Sequence, residues 1–219
     1  MGLTSFACGS GGFVPPAPDA ATTTASDAAP VSSANGGCVA LLADAQAQPV
    51  GSPCISYAHE GQTDFAGFSE AAVTIEMGNP QCGTNVCLYN HFRGRVTCPY
   101  GQDATGRGPD GLPGCLSAGA CEPVRPADPT QAVPPQCADR TAAAAVYCSC
   151  RCANVSGATN DGTYCTCPSG TTCTQLIPSG AAPPPGQMDT SGAYCLKTRT
   201  LWRGGNCLVS CDPTSTPCP

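Results

Sequence analysis

Large apolar side chains are scarce in this chain. Leu, Ile, Val and Phe together number 30 of 219 residues, about 14% and below the roughly 20% under which chains tend toward disorder. Burial of oily surface therefore does not by itself offset the conformational entropy of folding. The nominal 41% hydrophobic content consists largely of alanine and cysteine. No run of 18 or more apolar residues occurs, so no stretch of this sequence reads as a transmembrane helix. Charge is sparse as well: 11% of residues are charged, against roughly 25% in ordinary domains.

The net charge is −6, with Lys197 the one lysine among scattered arginines. Without a basic stripe, nucleic acid is not an expected partner. His59 and His91 are the only histidines, which leaves little for acid–base chemistry. A Cys87–His91 dyad would need a free thiol at Cys87, and surface or hydrogen-bonding roles are expected for both histidines. No catalytic residue, metal ligand or cofactor is expected, and the protein reads as a non-enzyme.

Cysteine is the abundant residue. Nineteen cysteines make up about 9% of the chain, within the range of disulfide scaffolds. Covalent closure of long loops is the means by which a core-poor chain is stabilised, and it requires an oxidising, extracytoplasmic compartment. The predicted fold class is thus small, disulfide-rich and mainly β, with short strands and hairpins, extensive loops and a disordered N-terminal tether.

The chain divides by composition. Ser5-Phe6-Ala7-Cys8-Gly9-Ser10 resembles the end of a bacterial lipobox, with Ser5 where leucine is usual, so residues 1–8 read as the remnant of a lipoprotein signal and Cys8 as the lipid-bearing residue. Residues 9–37, rich in Pro, Ala, Ser and Thr, form a tether able to reach about 90 Å at roughly 3.1 Å per residue. A cysteine-rich lobe at 38–122, a proline-rich linker at 123–136 and a second lobe at 137–219 follow.

With Cys8 set aside, an even set remains for bridges: Cys38, Cys54, Cys82, Cys87, Cys98, Cys115, Cys121, Cys137, Cys148, Cys150, Cys152, Cys165, Cys167, Cys173, Cys195, Cys207, Cys211 and Cys218. Their connectivity stays open at this level. Val39–Gln48 has some helical character before Pro49. Ala71–Met77 alternates apolar with polar residues and ends in Gly78-Asn79-Pro80, the pattern of a half-buried strand and turn. Leu88–Cys98 reads as strand and turn.

In the second lobe a meander is predicted near 146–152, 163–167, 171–177 and 192–199. Residues two apart on a strand share a face, so Cys148, Cys150 and Cys152 form a row opposite Tyr147, Ser149 and Arg151. Members of that row point alike and must bond to other segments, with Cys165, Cys167, Cys173 and Cys195 as candidates. Tyr100, Tyr147, Tyr164, Tyr194 and Trp202 are expected to cover thinly packed strands rather than to form a recognition face. Asn154-Val155-Ser156 fits a glycosylation sequon.

Cys-x-Cys-x-Cys also resembles metallothionein spacing, because soft thiolates select zinc or copper(I). The run from Cys165 to Cys173 resembles the close of an epidermal-growth-factor-like module, from which it departs at Thr171 and in its last spacing. The lipobox, the tether and the blocks Val86–Gly101 and Tyr147–Cys152 together resemble uncharacterised cysteine-rich lipoproteins of GC-rich, predatory gliding bacteria. That resemblance implies a location and no activity. The expected function is a non-enzymatic, disulfide-stabilised cell-surface or secreted lipoprotein, structural, adhesive or binding, held to the outer membrane through Cys8 and meeting a surface protein or glycan. The alternative is a periplasmic thiolate metal-binding or thiol-redox protein.

Overall fold

The computed structural model describes residues 47–117, 130–178, 180 and 188–218. The lipobox, the tether, Cys8, Cys38, Cys121 and nearly all of the 39–48 helix fall outside them. Within them lie six strands: β1 (Val73–Met77), β2 (Val86–Asn90), β3 (Val146–Cys148), β4 (Arg151–Ala153), β5 (Thr171–Ile177) and β6 (Gly192–Lys197). Three single-turn α-helices, α1 (Tyr57–Glu60), α2 (Gly114–Ser117) and α3 (Ala142–Ala145), and a 3-10 turn at Thr198–Thr200 accompany them. The strands form two three-stranded antiparallel sheets, ordered β1-β2-β3 and β4-β6-β5. The fold is disulfide-rich and mainly β with extensive loops. No helix among the described residues is long and apolar enough to cross a membrane.

Side-chain alternation decides how the sheets stack. On β2, Cys87 and Tyr89 face a cluster with Ile55, Phe68, Phe92 and Val96, while Val86 and Leu88 face the opposite way. There they meet Tyr147 of β3 and Tyr194 and Leu196 of β6, so the second face of the first sheet packs on the second sheet. β6 alternates in turn: Tyr194 and Leu196 point to the first sheet, and Ala193 and Cys195 join Cys150 and Cys152 on the far side. Sulfur thus fills the layer where a richer chain would place leucine and valine.

The single strand expected over 146–152 is broken, because the chain leaves one sheet for the other at Ser149. The Ser149 N–H donates to Val86 O (3.0 Å) on β2, and its hydroxyl donates to Cys195 O (2.8 Å) on β6. Cys148 consequently lies in the first sheet's cluster, whereas Cys150 and Cys152 lie in the sulfur layer. Residues 163–167 carry no ladder; Cys165 N–H donates to Arg151 O (3.0 Å). The segments on either side of 123–136 share a sheet through β2 and β3 and are joined by the Cys82–Cys148 bridge, so the two expected lobes interlock.

Next to the aromatic cluster sits a fully buried carboxylate. Glu60 accepts hydrogen bonds from Val96 N–H (2.5 Å), Thr97 N–H (3.2 Å) and the Thr97 hydroxyl (2.7 Å). The equally buried Arg95 guanidinium lies 3.7 Å away. Burial pushes the Glu60 carboxyl up, and the Thr97, Val96 and Arg95 contacts oppose that rise.

Candidate functional site

Eight disulfides join the described cysteines: Cys54–Cys87, Cys82–Cys148, Cys98–Cys115, Cys137–Cys207, Cys150–Cys165, Cys152–Cys173, Cys167–Cys195 and Cys211–Cys218. They mark a disulfide-stabilised protein folded in an oxidising, extracytoplasmic environment. As the parallel side-chain directions require, Cys148, Cys150 and Cys152 each bond to another segment. Two of them take expected partners, Cys165 and Cys173, while Cys148 reaches back to Cys82.

The bridges pack against one another. The sulfurs of Cys150, Cys165 and Cys195 lie within 4.8 Å of each other, as do those of Cys152, Cys167 and Cys173 and those of Cys54, Cys82 and Cys148. Cys195 Sγ is 3.6 Å from both Cys150 Sγ and Cys165 Sγ. Three sulfurs so placed have the density of a thiolate metal cluster, but each is joined to a partner, and thiolate ligands appear only after reduction.

A cleft of about 800 Å³ opens elsewhere on the body, walled by three segments. One is the loop from Tyr100 to Pro109, closed by Cys98–Cys115; the second is Ala132–Pro135; the third is Val209–Thr216, between Cys207 and Cys218. Backbone bonds lock the first two together, Gln102 N–H to Val133 O (2.9 Å) and Val133 N–H to Gln102 O (2.8 Å). Gly101, at φ +69°, permits the approach, since a Cβ there would meet Val133 O at 2.5 Å. The third wall is tied by Ala138 N–H to Val209 O (2.9 Å) and Cys211 N–H to Gln136 O (2.8 Å).

Two loops with the same chemistry present carboxylates to this cleft. Asp103 Oδ1 accepts from Thr105 N–H, the Thr105 hydroxyl and Arg107 N–H, and Asp212 Oδ1 accepts from Thr214 N–H, its hydroxyl and Ser215 N–H. These local donors hold both carboxyls below their ordinary range. The half-buried Tyr100 and the prolines 109, 134 and 135 supply apolar surface beside them. Neither carboxylate is among the residues expected from sequence, although Asp103-Ala-Thr105 and Asp212-Pro-Thr214 are a repeated turn signal that locates both loops.

The remaining expected residues have structural partners. Cys87 is bonded to Cys54, so beside His91 it offers no thiol. His59 Nδ1 lies 2.9 Å from Ser56 Oγ, and its ring packs on Phe65 and Phe68. His91 stacks on Trp202 with centroids 4.8 Å apart, and Arg140 covers the indole. Burial lowers the His91 pKa. Tyr147 and Tyr194 are buried between the sheets, as the covering role requires, whereas Tyr100 lines the cleft and Tyr164 lines a separate groove. Asn154 accepts from Ser156 and Ala158 N–H groups and donates to Asp161 Oδ2 (2.7 Å). Comparison with protein-family models, curated proteins and solved structures finds no match to this chain.

Proposed function

We propose that this protein is a non-enzymatic, disulfide-stabilised lipoprotein of the cell surface or outer membrane, anchored through Cys8, whose body presents a preformed cleft to a glycan. One observation carries the reading: every wall of the cleft adjoins a bridge, so the site is rigid before a partner arrives. Its lining suits a sugar ring, with the Tyr100 face and proline surfaces for apolar C–H groups and Asp103, Arg107 and Asp212 for hydroxyls. The lipobox-like Cys8 and the resemblance to cysteine-rich lipoproteins of gliding bacteria support the location.

Two measurements test the reading. Mass spectrometry of protein extracted from membranes should find acyl chains on the Cys8 peptide; an unmodified Cys8 in membrane-derived protein defeats the anchor. Titration with a panel of neutral and acidic oligosaccharides should shift the cleft's amide resonances, and Tyr100→Ala should abolish the shift. A panel with no responding sugar defeats the glycan assignment. The thiolate metal reading draws on the three sulfur triples and predicts reactive thiols and stoichiometric zinc or copper in the isolated protein.

A further inference from the structure

We propose that the Cys150–Cys165 bridge is a thiol–disulfide exchange site for a dithiol polypeptide segment, and that Cys195 passes the exchange inward to the neighbouring bridge. This goes beyond the cleft reading and is independent of it. Both cysteines of this bridge line a groove of about 570 Å³, together with Met77, Val86 and Met188. Methionine is the side chain best able to adapt to varied apolar flanks, so the groove suits a peptide around a reduced cysteine. The Arg151–Asp189 ion pair (3.7 Å) also lines it, and the Arg151 cation favours an approaching thiolate.

Access and contact set the direction of exchange. Cys165 is half-exposed, whereas Cys150 and Cys195 are buried. A substrate thiolate therefore attacks Cys165 Sγ, forming a mixed disulfide and expelling Cys150 as thiolate. Cys195 Sγ lies 3.6 Å from Cys150 Sγ. The Cys150 thiolate attacks it, forming Cys150–Cys195 and releasing Cys167, itself half-exposed. The substrate's second thiolate then attacks its own sulfur in the mixed disulfide and releases Cys165. The substrate loses two electrons and two protons and gains one disulfide; the protein ends with thiols at Cys165 and Cys167 and one bridge fewer. As these steps balance, one substrate disulfide forms per chain.

The test uses the wild-type chain with its bridges intact. One equivalent of dithiothreitol or of a Cys-x-x-Cys peptide is added anaerobically at mildly alkaline pH, followed by acid quench, alkylation and non-reducing peptide mapping. The expected result is alkyl label on Cys165 and Cys167, loss of the Cys167–Cys195 peptide and appearance of Cys150–Cys195. With glutathione, a single thiol, a mixed disulfide at Cys165 should accompany free Cys167. Label on Cys150 and Cys165 with Cys167–Cys195 intact overturns the relay. Label that first appears at a bridge outside this layer, such as Cys137–Cys207, overturns the site. A Cys167→Ser/Cys195→Ser double variant should move the label to Cys150 and Cys165; the wild-type map decides the matter even where that variant does not fold.

Discussion

Glu60 shows how this small core depends on single polar residues. Its two oxygens face donors only: two backbone N–H groups, a hydroxyl and a guanidinium. Glu60→Gln would turn one acceptor into a donor against a donor, leaving buried groups unsatisfied at a cost of about 2–3 kcal/mol. Thermal melting of the oxidised variant measures this, and an unchanged Tm refutes it. Gly94, at φ +85°, runs so close to Pro134 that a Cβ would meet its carbonyl oxygen at 2.4 Å. Gly94→Ala should therefore destabilise by more than about 1 kcal/mol.

Tyr194 sets an alkaline limit, because burial between the sheets pushes its phenol up to about 12. The fold keeps the neutral form, so between about pH 10, the ordinary value, and pH 12 the unfolded chain loses its proton first and stability falls as pH rises. Tyrosinate absorbance should show this residue titrating late together with Tyr89 and Tyr147, whose phenols burial also pushes up, and Tyr194→Phe should lower the amplitude of that late step by one tyrosine.

At the scale of elements, β1 is legible in sequence because alternation and the flanking Gly78-Asn79-Pro80 turn agree there, and β5 and β6 fall where strands of the meander are expected. The 146–152 segment is not legible. Its alternation is genuine, but the Ser149 hydroxyl and N–H pin the chain between two sheets, and no local pattern encodes which sheet each half joins. The cleft is illegible for a related reason: its walls come from segments far apart in sequence, joined by the Gln102–Val133 backbone pair and by the Cys137–Cys207 bridge, neither of which the sequence alone specifies. The bridges are unequal. Cys82–Cys148 closes a separation of 66 residues across the β2–β3 pairing, and Cys211–Cys218 closes 7. Loop-closure entropy makes the first worth about 2 kcal/mol more than the second. Paired Cys→Ser variants compared by denaturant titration should show that ranking, and equal losses would argue against the entropic account.

At the scale of the whole molecule, sulfur replaces oil. The first sheet's outer cluster contains Cys54, Cys82, Cys87 and Cys148 beside its aromatics, and the second sheet's outer layer is made largely of cysteine and alanine. Reduction would remove the loop closures and with them the constraint that holds these sulfur-filled layers together. Excess phosphine reductant at neutral pH should therefore abolish the near-ultraviolet circular dichroism of the buried tyrosines without added denaturant, and a fold that survives full reduction contradicts the argument. Cysteine counting sharpens the test. The eight bridges consume sixteen of nineteen cysteines, leaving Cys8, Cys38 and Cys121, an odd set in which at least one sulfur has no partner within the chain. Alkylation of the denatured, unreduced protein should label none beyond those three. Label at any of the sixteen would show that a bridge described above does not form in solution.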